Sequence, residues 1–360
     1  MIHDFLIIGG GIAGVSAALR LSELGSVCLL EQEDNLAHHA SGRSAAMYEP
    51  RYGLPPVVAL SEASGDFLRQ AEGGVLSPRG LLVVAGTDQA DSFAADCRTM
   101  ALDPISFDEA RAMAPILNPA SVARAAYTDH AWDIDTDLLI QTCYRSARRR
   151  GAQILTGARV TDIMRGDAGW TVRTPLGEFE GRLIVNAAGA WADHVALMAG
   201  VRPLGLTPLR RSMARLPAPG GHDVSRWPMI FGAGETWYAK PDAGALIVSP
   251  ADEDPAEPHD AWADDMVLAE GIARYEAMVT EPVTRLLASW AGLRTFAPDR
   301  VLVIGPDPVT PGFFWLAGQG GYGFQTAPAA SQLAADLIAG RAPDLDAATV
   351  AALSPGRFRR

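Results

Sequence analysis

Gly9, Gly11 and Gly14 sit in the stretch "IIGGGIAG" with the spacing G-x-G-x-x-G. The chemistry such a turn supports is anion binding. The first glycine permits a tight turn, the second lets backbone approach a pyrophosphate, and the third lets a helix pack on a strand. Ile12 and Ala13 open that helix, whose unpaired N–H groups can face the phosphates. Glu31 ends the next apolar run, where a carboxylate can accept from a ribose hydroxyl. Strand before, helix after and acid beyond read as dinucleotide binding. The competing reading is a turn that serves helix packing only, and the motif alone does not choose between NAD and FAD.

A second cluster, "GQGGYGFQTAP" at residues 318–328, helps to choose. Gly320, Gly321 and Gly323 surround Tyr322 and are followed by Phe324, Gln325 and an alanine-rich segment, 327–339, that reads as a helix. Glycines let backbone lie close to a flat ring, and a helix N-terminus stabilises negative charge. Reduced flavin carries such charge along its N1–C2=O edge, whereas nicotinamide does not. The two loops are therefore expected to grip one long cofactor, FAD, at its diphosphate and at its isoalloxazine.

These loops need elements to position them. "DFLII" is a continuous apolar run, as in a strand buried on both faces. Ile12, Val15 and Leu19 then recur at helical spacing up to Gly25, and "VCLLE" returns as a second strand. This β-α-β unit should cross over right-handed. "DTDLLIQTCYRSARRRG" reads as a helix capped by Asp135 or Thr136, and "GRLIVNAAGAWADHVALMAG" as strand, small-residue turn and helix. "GLLVVAG", "TWYAKP" and "GALIVS" are strand-like, and "PADEDPAEPHDAWADD" reads as a solvated surface loop, with a mobile lid as the alternative. The expected fold is α/β with an α+β two-domain plan. A Rossmann-type FAD-binding domain is drawn from residues 1–46, 134–205 and 295–345, and a mixed-sheet substrate domain from 47–133 and 206–294, with 346–360 as a C-terminal tail.

Composition narrows the function. A 360-residue chain is long enough for two cores, and a net charge of −12 argues against a nucleic-acid partner. Cys28, Cys97 and Cys143 are odd in number and far apart, so neither a disulfide framework nor a metal site is indicated. No apolar run is long enough for a transmembrane helix. A cytoplasmic setting is expected, and the tail "GRFRR" is expected to be solvated. Lys240 is the only lysine beside 29 arginines, which genome composition would explain.

The stretches "DFLIIGGGIAG", "SGRSAA", "VNAAGAWAD", "RPLGLTPLRRS", "WYAKPDAG", "WAGLRTF" and "GFFWLAGQGGYGFQT" together resemble the FAD-dependent D-amino-acid oxidase and sarcosine/glycine oxidase superfamily. The likeness runs over nearly the whole chain and is greatest towards the bacterial D-arginine dehydrogenases. It implies non-covalent FAD and a small amino-acid substrate, with the electron acceptor left open. By this resemblance Ser41, Arg43, Ser44 and Ala45 would line the flavin and its phosphates, Ala188 and Gly189 would lie along the cofactor, and Val160 near the adenine. Arg211 and Arg294 match carboxylate-binding positions, and Tyr52 and Tyr238 match substrate-bonding tyrosines. Gly321 and Tyr322 would stand at the reacting end. Without the resemblance, each arginine would read as a surface residue or a structural ion pair.

The chain departs from the arginine enzymes. Leu81 stands where an acid would meet a cationic substrate end, Met47 replaces the active-site histidine, and Phe231 replaces a smaller apolar residue. With Met229 these make an apolar substrate pocket; Glu49, close to Tyr52, is a candidate substitute acid. The expected reaction is oxidative deamination of a neutral or hydrophobic D-amino acid, by hydride transfer from Cα to flavin N5. No lysine falls at the position some oxidase relatives use, which favours a dehydrogenase. The rivals are oxidation of glycine, N-alkyl amino acids or 2-hydroxy acids, and a non-catalytic FAD-binding subunit.

Overall fold

Alternation along the strand Ile2–Ile8 builds the first layer: Phe5 and Ile7 face one side, Leu6 and Ile8 the other, and all four are buried. In the computed structural model, which describes residues 2–358, this strand lies inside an eight-stranded sheet. It pairs in parallel with Val27–Leu30 and with Gly177–Asn186, and Val27–Leu30 pairs in parallel with Gln153–Leu155. Gly177–Asn186 has two further partners: its start pairs antiparallel with Gly169–Thr174, its end parallel with Phe313–Ala317. Helices Ile12–Leu21, Thr136–Arg149 and Gly323–Ala339 cover the Phe5/Ile7 face through small residues such as Ala17, Ala147 and Ala334. Asp135 caps the second of these, its carboxylate accepting from Leu138 N at 2.8 Å. The Leu6/Ile8 face packs on Trp170, Val172 and helix Ala192–Met198.

The second layer is a nine-stranded mixed sheet whose two faces do different work. Leu82, Val84, Ile230, Ala239 and Val248 face helices Phe107–Met113 and Asp265–Glu276 through Ala110, Leu268 and Tyr275. The alternate residues Leu81, Val83, Met229, Phe231 and Tyr238 face the other way, towards Ala45, Met47 and Tyr52. A small sheet of Met47–Tyr48, Leu76–Pro78 and Trp132–Ile134 accompanies them.

Two segments differ from the sequence reading. Helix Pro55–Gln70, drawn with the second domain, packs Val57 and Leu60 into the first layer's core, and Ser64 Oγ accepts from Ala329 N at 3.1 Å. The stretch beyond 346 is no loose tail: helix Ala347–Leu353 buries Leu353, and Arg357 pairs with Asp299 at 2.7 Å. Arg359 and Arg360 lie outside the described residues. The acidic loop after Pro250 lies at the surface as expected, with Glu253, Asp254 and Asp260 exposed, yet ion pairs tie it down rather than leave it free. Asp252 accepts from Ser212 N and Oγ, Asp254 pairs with Arg210 at 2.9 Å, Glu253 pairs with Arg211 and Arg300, and Asp260 pairs with Arg43. No helix among the described residues is long and apolar enough to cross a membrane.

Candidate functional site

A cavity of about 720 Å³ opens beside the first glycine turn. Gly9, Gly11, Glu31, Ser41, Arg43, Val160, Ala188 and Gly189, the residues the sequence assigns to a cofactor, line it. Gly9 has φ +108°, and a Cβ there would lie 2.4 Å from Ala187 O. Gly14 is packed beneath the turn, where a Cβ would lie 1.8 Å from Gly9 O. Glu31 holds the turn in place: its Oε2 accepts from Gly10 N at 2.5 Å and its Oε1 from Glu33 N at 2.9 Å. Burial pushes this carboxyl's pKa up against those backbone bonds. Ser41 Oγ accepts from Ile12 N at 3.0 Å, at the first turn of the helix.

The cavity continues past Gly11, Ser41, Arg43 and Gly189 into a second space of about 130 Å³. Ile12, Ala13, Ser44, Met47, Gly320, Gly321, Gly323, Phe324 and Gln325 line this end, together with Arg211 and Arg294. Helix Gly323–Ala339 starts here, four residues ahead of the alanine-rich segment, so its N-terminus points at the space. Gln325 is buried; its Oε1 accepts from Glu49 N at 3.1 Å, and its Nε2 has no partner.

Sheet register brings the two arginines together. Strands Thr207–Pro217 and Ala288–Phe296 pair antiparallel with Arg294 opposite Leu209 and Gly292 opposite Arg211. The two arginines are thus diagonal neighbours on one face. Gly292, which has no side chain, leaves room beside them and lines both cavities. Arg211 is 2 % exposed. Its Nη1 donates to Glu235 Oε1 at 3.0 Å and its Nη2 to Glu253 Oε1 at 3.1 Å. Arg294 Nη1 lies 3.8 Å from the same Glu235 oxygen, and Tyr52 Oη donates to Glu235 Oε2 at 2.7 Å. The fork therefore already holds a carboxylate. Burial alone would raise the Glu235 pKa, but Arg211 and then Arg294 hold it below its ordinary value. Burial, then the Glu235 charge, drive the Tyr52 hydroxyl well up. Burial opposes the Arg211 charge, yet Tyr238 and Glu235 raise its pKa.

Glu235 was not found by sequence reasoning. It sits at φ +55° in the turn "GAGE", and only the closed fold brings it to the arginines. Met213, on the second cavity's wall, was missed too; its spacing of two from Arg211 on one strand was the available signal.

The remaining expected residues are spread around this centre. Tyr238 is 1 % exposed and its hydroxyl has no partner; its ring lies 5.7 Å from that of Phe231. Tyr322 caps helix Gly323–Ala339, with its ring 5.4 Å from that of Tyr52. Leu81 and Met229 are closed into the apolar core beside Phe231 and line neither cavity, because their strands are covered by helix Ala90–Met100 through Phe93 and Met100. Ala45 also stands behind the wall, its carbonyl accepting from Lys240 Nζ at 3.0 Å. His38 and His39 border the first cavity; His39 Nε2 lies 2.9 Å from Glu33 Oε1. The fold brings Glu33, His38 and His39 ligand atoms within 4.8 Å of one another, a grouping that chain spacing does not reveal.

Glu49, the candidate substitute acid, lines neither cavity. Its Oε1 accepts from Arg51 N at 3.0 Å and lies 3.2 Å from His130 Nε2, while its Oε2 has no partner. Burial pushes its carboxyl up to about 7. The folded protein thus binds a proton that the unfolded chain releases above its ordinary range, and this stabilising effect is lost as pH rises towards 7. Glu49→Gln should gain about 2.5 kcal/mol on the wild type between pH 5 and pH 8.5. Urea unfolding at the two pH values measures it, and an equal difference at both would contradict the assignment.

The family described as FAD dependent oxidoreductase matches residues 4–337. The chain belongs to that family. It is 26 % identical to the glycine oxidase of Pseudomonas aeruginosa, over 98 % of this chain and 99 % of that protein. The crystal structure of glycine oxidase from Geobacillus kaustophilus superposes with a TM-score of 0.84 at 23 % identity, covering 99 % of this chain and 98 % of that one. The L-proline dehydrogenase of P. horikoshii gives 0.85 at 21 % identity, covering 100 % and 98 %. The residues present fit FAD. The two joined cavities supply an elongated space, Gly9 and Gly11 leave backbone open towards one end, and the unpartnered Gln325 Nε2 and a helix N-terminus lie at the other.

Proposed function

We propose that this FAD-dependent oxidoreductase oxidises the C–N bond of a small neutral amino acid, primary or N-substituted. The observation that carries the reading is the fork of Arg211, Arg294 and Tyr52, which grips a carboxylate of the chain itself at the end of the cofactor cavity. An amino-acid carboxylate has the same shape and charge as that of Glu235. Arg294 is the arm open to it: its side chain is 22 % exposed and its contact with Glu235 is long. The unpartnered Tyr238 hydroxyl supplies a further donor. Arg211 stays with Glu235 and Glu253 and offsets their charge, leaving Arg294 as the cation for the substrate.

Bound in the joined cavities, FAD would take up the hydride from the substrate carbon. The chain's part is to hold the carboxylate, orient the carbon and exclude water. Loss of hydride leaves a C=N bond that water hydrolyses to an oxo acid and an amine or ammonia. The small space beside the fork and the closed packing of Leu81 and Met229 favour glycine-sized or N-alkyl substrates over long cationic ones, which would also lack an acid to pair with. The names of the relatives, glycine oxidase and L-proline dehydrogenase, agree with that size class. A second reading, a neutral D-amino acid, is favoured by the apolar side chains of Met47 and Met213 on the wall of the space that holds Arg211 and Arg294.

Anaerobic mixing of the FAD-loaded protein with glycine, sarcosine, dimethylglycine, L-proline, D-alanine and D-arginine separates the readings. Bleaching of oxidised flavin by the small or N-substituted members supports the first, and bleaching by D-alanine alone the second. No bleaching by any member would sink both. Glu235→Gln should lower KM for the substrate found by about five- to tenfold, because a like charge leaves the fork while its hydrogen bonds remain. A raised KM would mean that Glu235 contacts the substrate amine.

A further inference from the structure

We propose that Lys240 is a positioning residue whose ammonium clamps the backbone of Ala45 and Ala46, at the wall of the cofactor cavity, to the strand that carries Tyr238. Arginine stands at every other Lys/Arg position of this chain, 29 times in all. Compositional drift accounts for the arginines but not for the one lysine that remains. Lys240 is 9 % exposed, far below what is usual for a lysine. Its Nζ donates to Ala45 O at 3.0 Å and to Ala46 O at 2.9 Å, and it lies 2.9 Å from Asp133 Oδ1. These acceptors surround a point charge. A guanidinium is larger, and its donors lie in one plane, so it cannot reach all three from the same stem.

The groups being joined belong to the site. Ala46 and Met47 line the flavin end of the cavity, with Ser44 beside them. Lys240 shares a strand face with Tyr238, two residues away on Tyr238–Asp242. Asp133 stands opposite Met47 in the small sheet and also pairs with Arg79 at 2.6 Å. Arg79 in turn donates to Trp227 O at 2.9 Å, next to the strand Met229–Gly232 that carries Phe231. The clamp thus sets the gap between the cofactor wall and the strand bearing the unpartnered Tyr238 hydroxyl. A displacement of about 1 Å in such a gap costs on the order of 100-fold in rate.

The inference rests on FAD lying in the joined cavities, so its first readout needs no substrate. In Lys240→Arg, FAD dissociation from the holoprotein should accelerate about tenfold, and the fine structure of the visible flavin band should change, with the charge retained. Asp133→Asn, which touches no cavity-lining residue except through Lys240 and Met47, should shift the band in the same direction. Once a reducing substrate is known, the limiting rate of flavin reduction per bound FAD should fall about 30-fold in Lys240→Arg with the substrate dissociation constant within about threefold of wild type. Wild-type flavin bands and dissociation rates in both variants would overturn the proposal, as would an unchanged limiting rate per bound FAD. If no amino acid reduces the wild type, the functional reading falls but the band and dissociation measurements still decide the clamp.

Discussion

Arg294→Ala should lose about 1000-fold in kcat/KM, mostly in KM, and still fold with FAD bound. A charge-assisted, forked contact to a carboxylate is worth on the order of 3–4 kcal/mol once desolvated, and Arg294 is the partly open arm that would make it. Its acidic partner Glu235 lies 3.8 Å away, so its removal leaves no tightly held acid stranded. Arg211→Ala should behave differently although the two guanidiniums are neighbours. Arg211 is 2 % exposed and pairs with both Glu235 and Glu253, so truncation leaves buried acids without their cation. Breaking such a pair from one side costs about 3–5 kcal/mol. Thermal unfolding of the two variants, set beside steady-state kinetics, tests the division. Equal destabilisation, or an Arg294→Ala enzyme with wild-type KM, would contradict it.

The second large effect concerns the cofactor. Gly14→Ala should abolish FAD retention, because the new Cβ falls 1.8 Å from Gly9 O and backbone cannot yield there as a flexible side chain would. Relief requires helix Ile12–Leu21 to move off the strand, which withdraws its N-terminus from the turn. The FAD-to-protein ratio after gel filtration measures this. An expected fall of at least about 100-fold in FAD affinity corresponds to about 3 kcal/mol. A yellow, fully loaded Gly14→Ala protein would show that the turn does not carry the diphosphate.

What the sequence disclosed about this molecule was mostly local. The G-x-G-x-x-G turn, the Asp135 cap and the apolar run of Ile2–Ile8 each depend on residues close in the chain, and each forms as its local pattern suggests. The arginine pair was legible only through the order of motifs along the whole chain, since two arginines among 29 carry no mark of convergence. Glu235 could not be found because its partners, Tyr52, Arg211 and Arg294, come from three separate segments. The acidic loop read rightly as solvated, but its partners Arg43, Arg210, Arg211 and Arg300 were hidden for the same reason. Helix Pro55–Gln70 has an apolar stripe that says it must pack on something, and nothing in the stripe says which layer. Leu81 was right in its neighbourhood and wrong in its exposure, because helix Ala90–Met100 closes over its face of the sheet.

Substrate choice turns on the fork's selection of a carboxylate, and the most direct measurement compares a reducing amino acid with its own amide. The two differ by one charge and almost nothing in size. Anaerobic stopped-flow reduction by sarcosine, or by whichever small amino acid bleaches the flavin, should exceed reduction by the matching amide by at least about 1000-fold at low concentration. That gap should shrink to within about tenfold in Arg294→Ala. An amide that reduces the wild-type flavin as readily as the acid would mean that the arginines do not anchor the substrate.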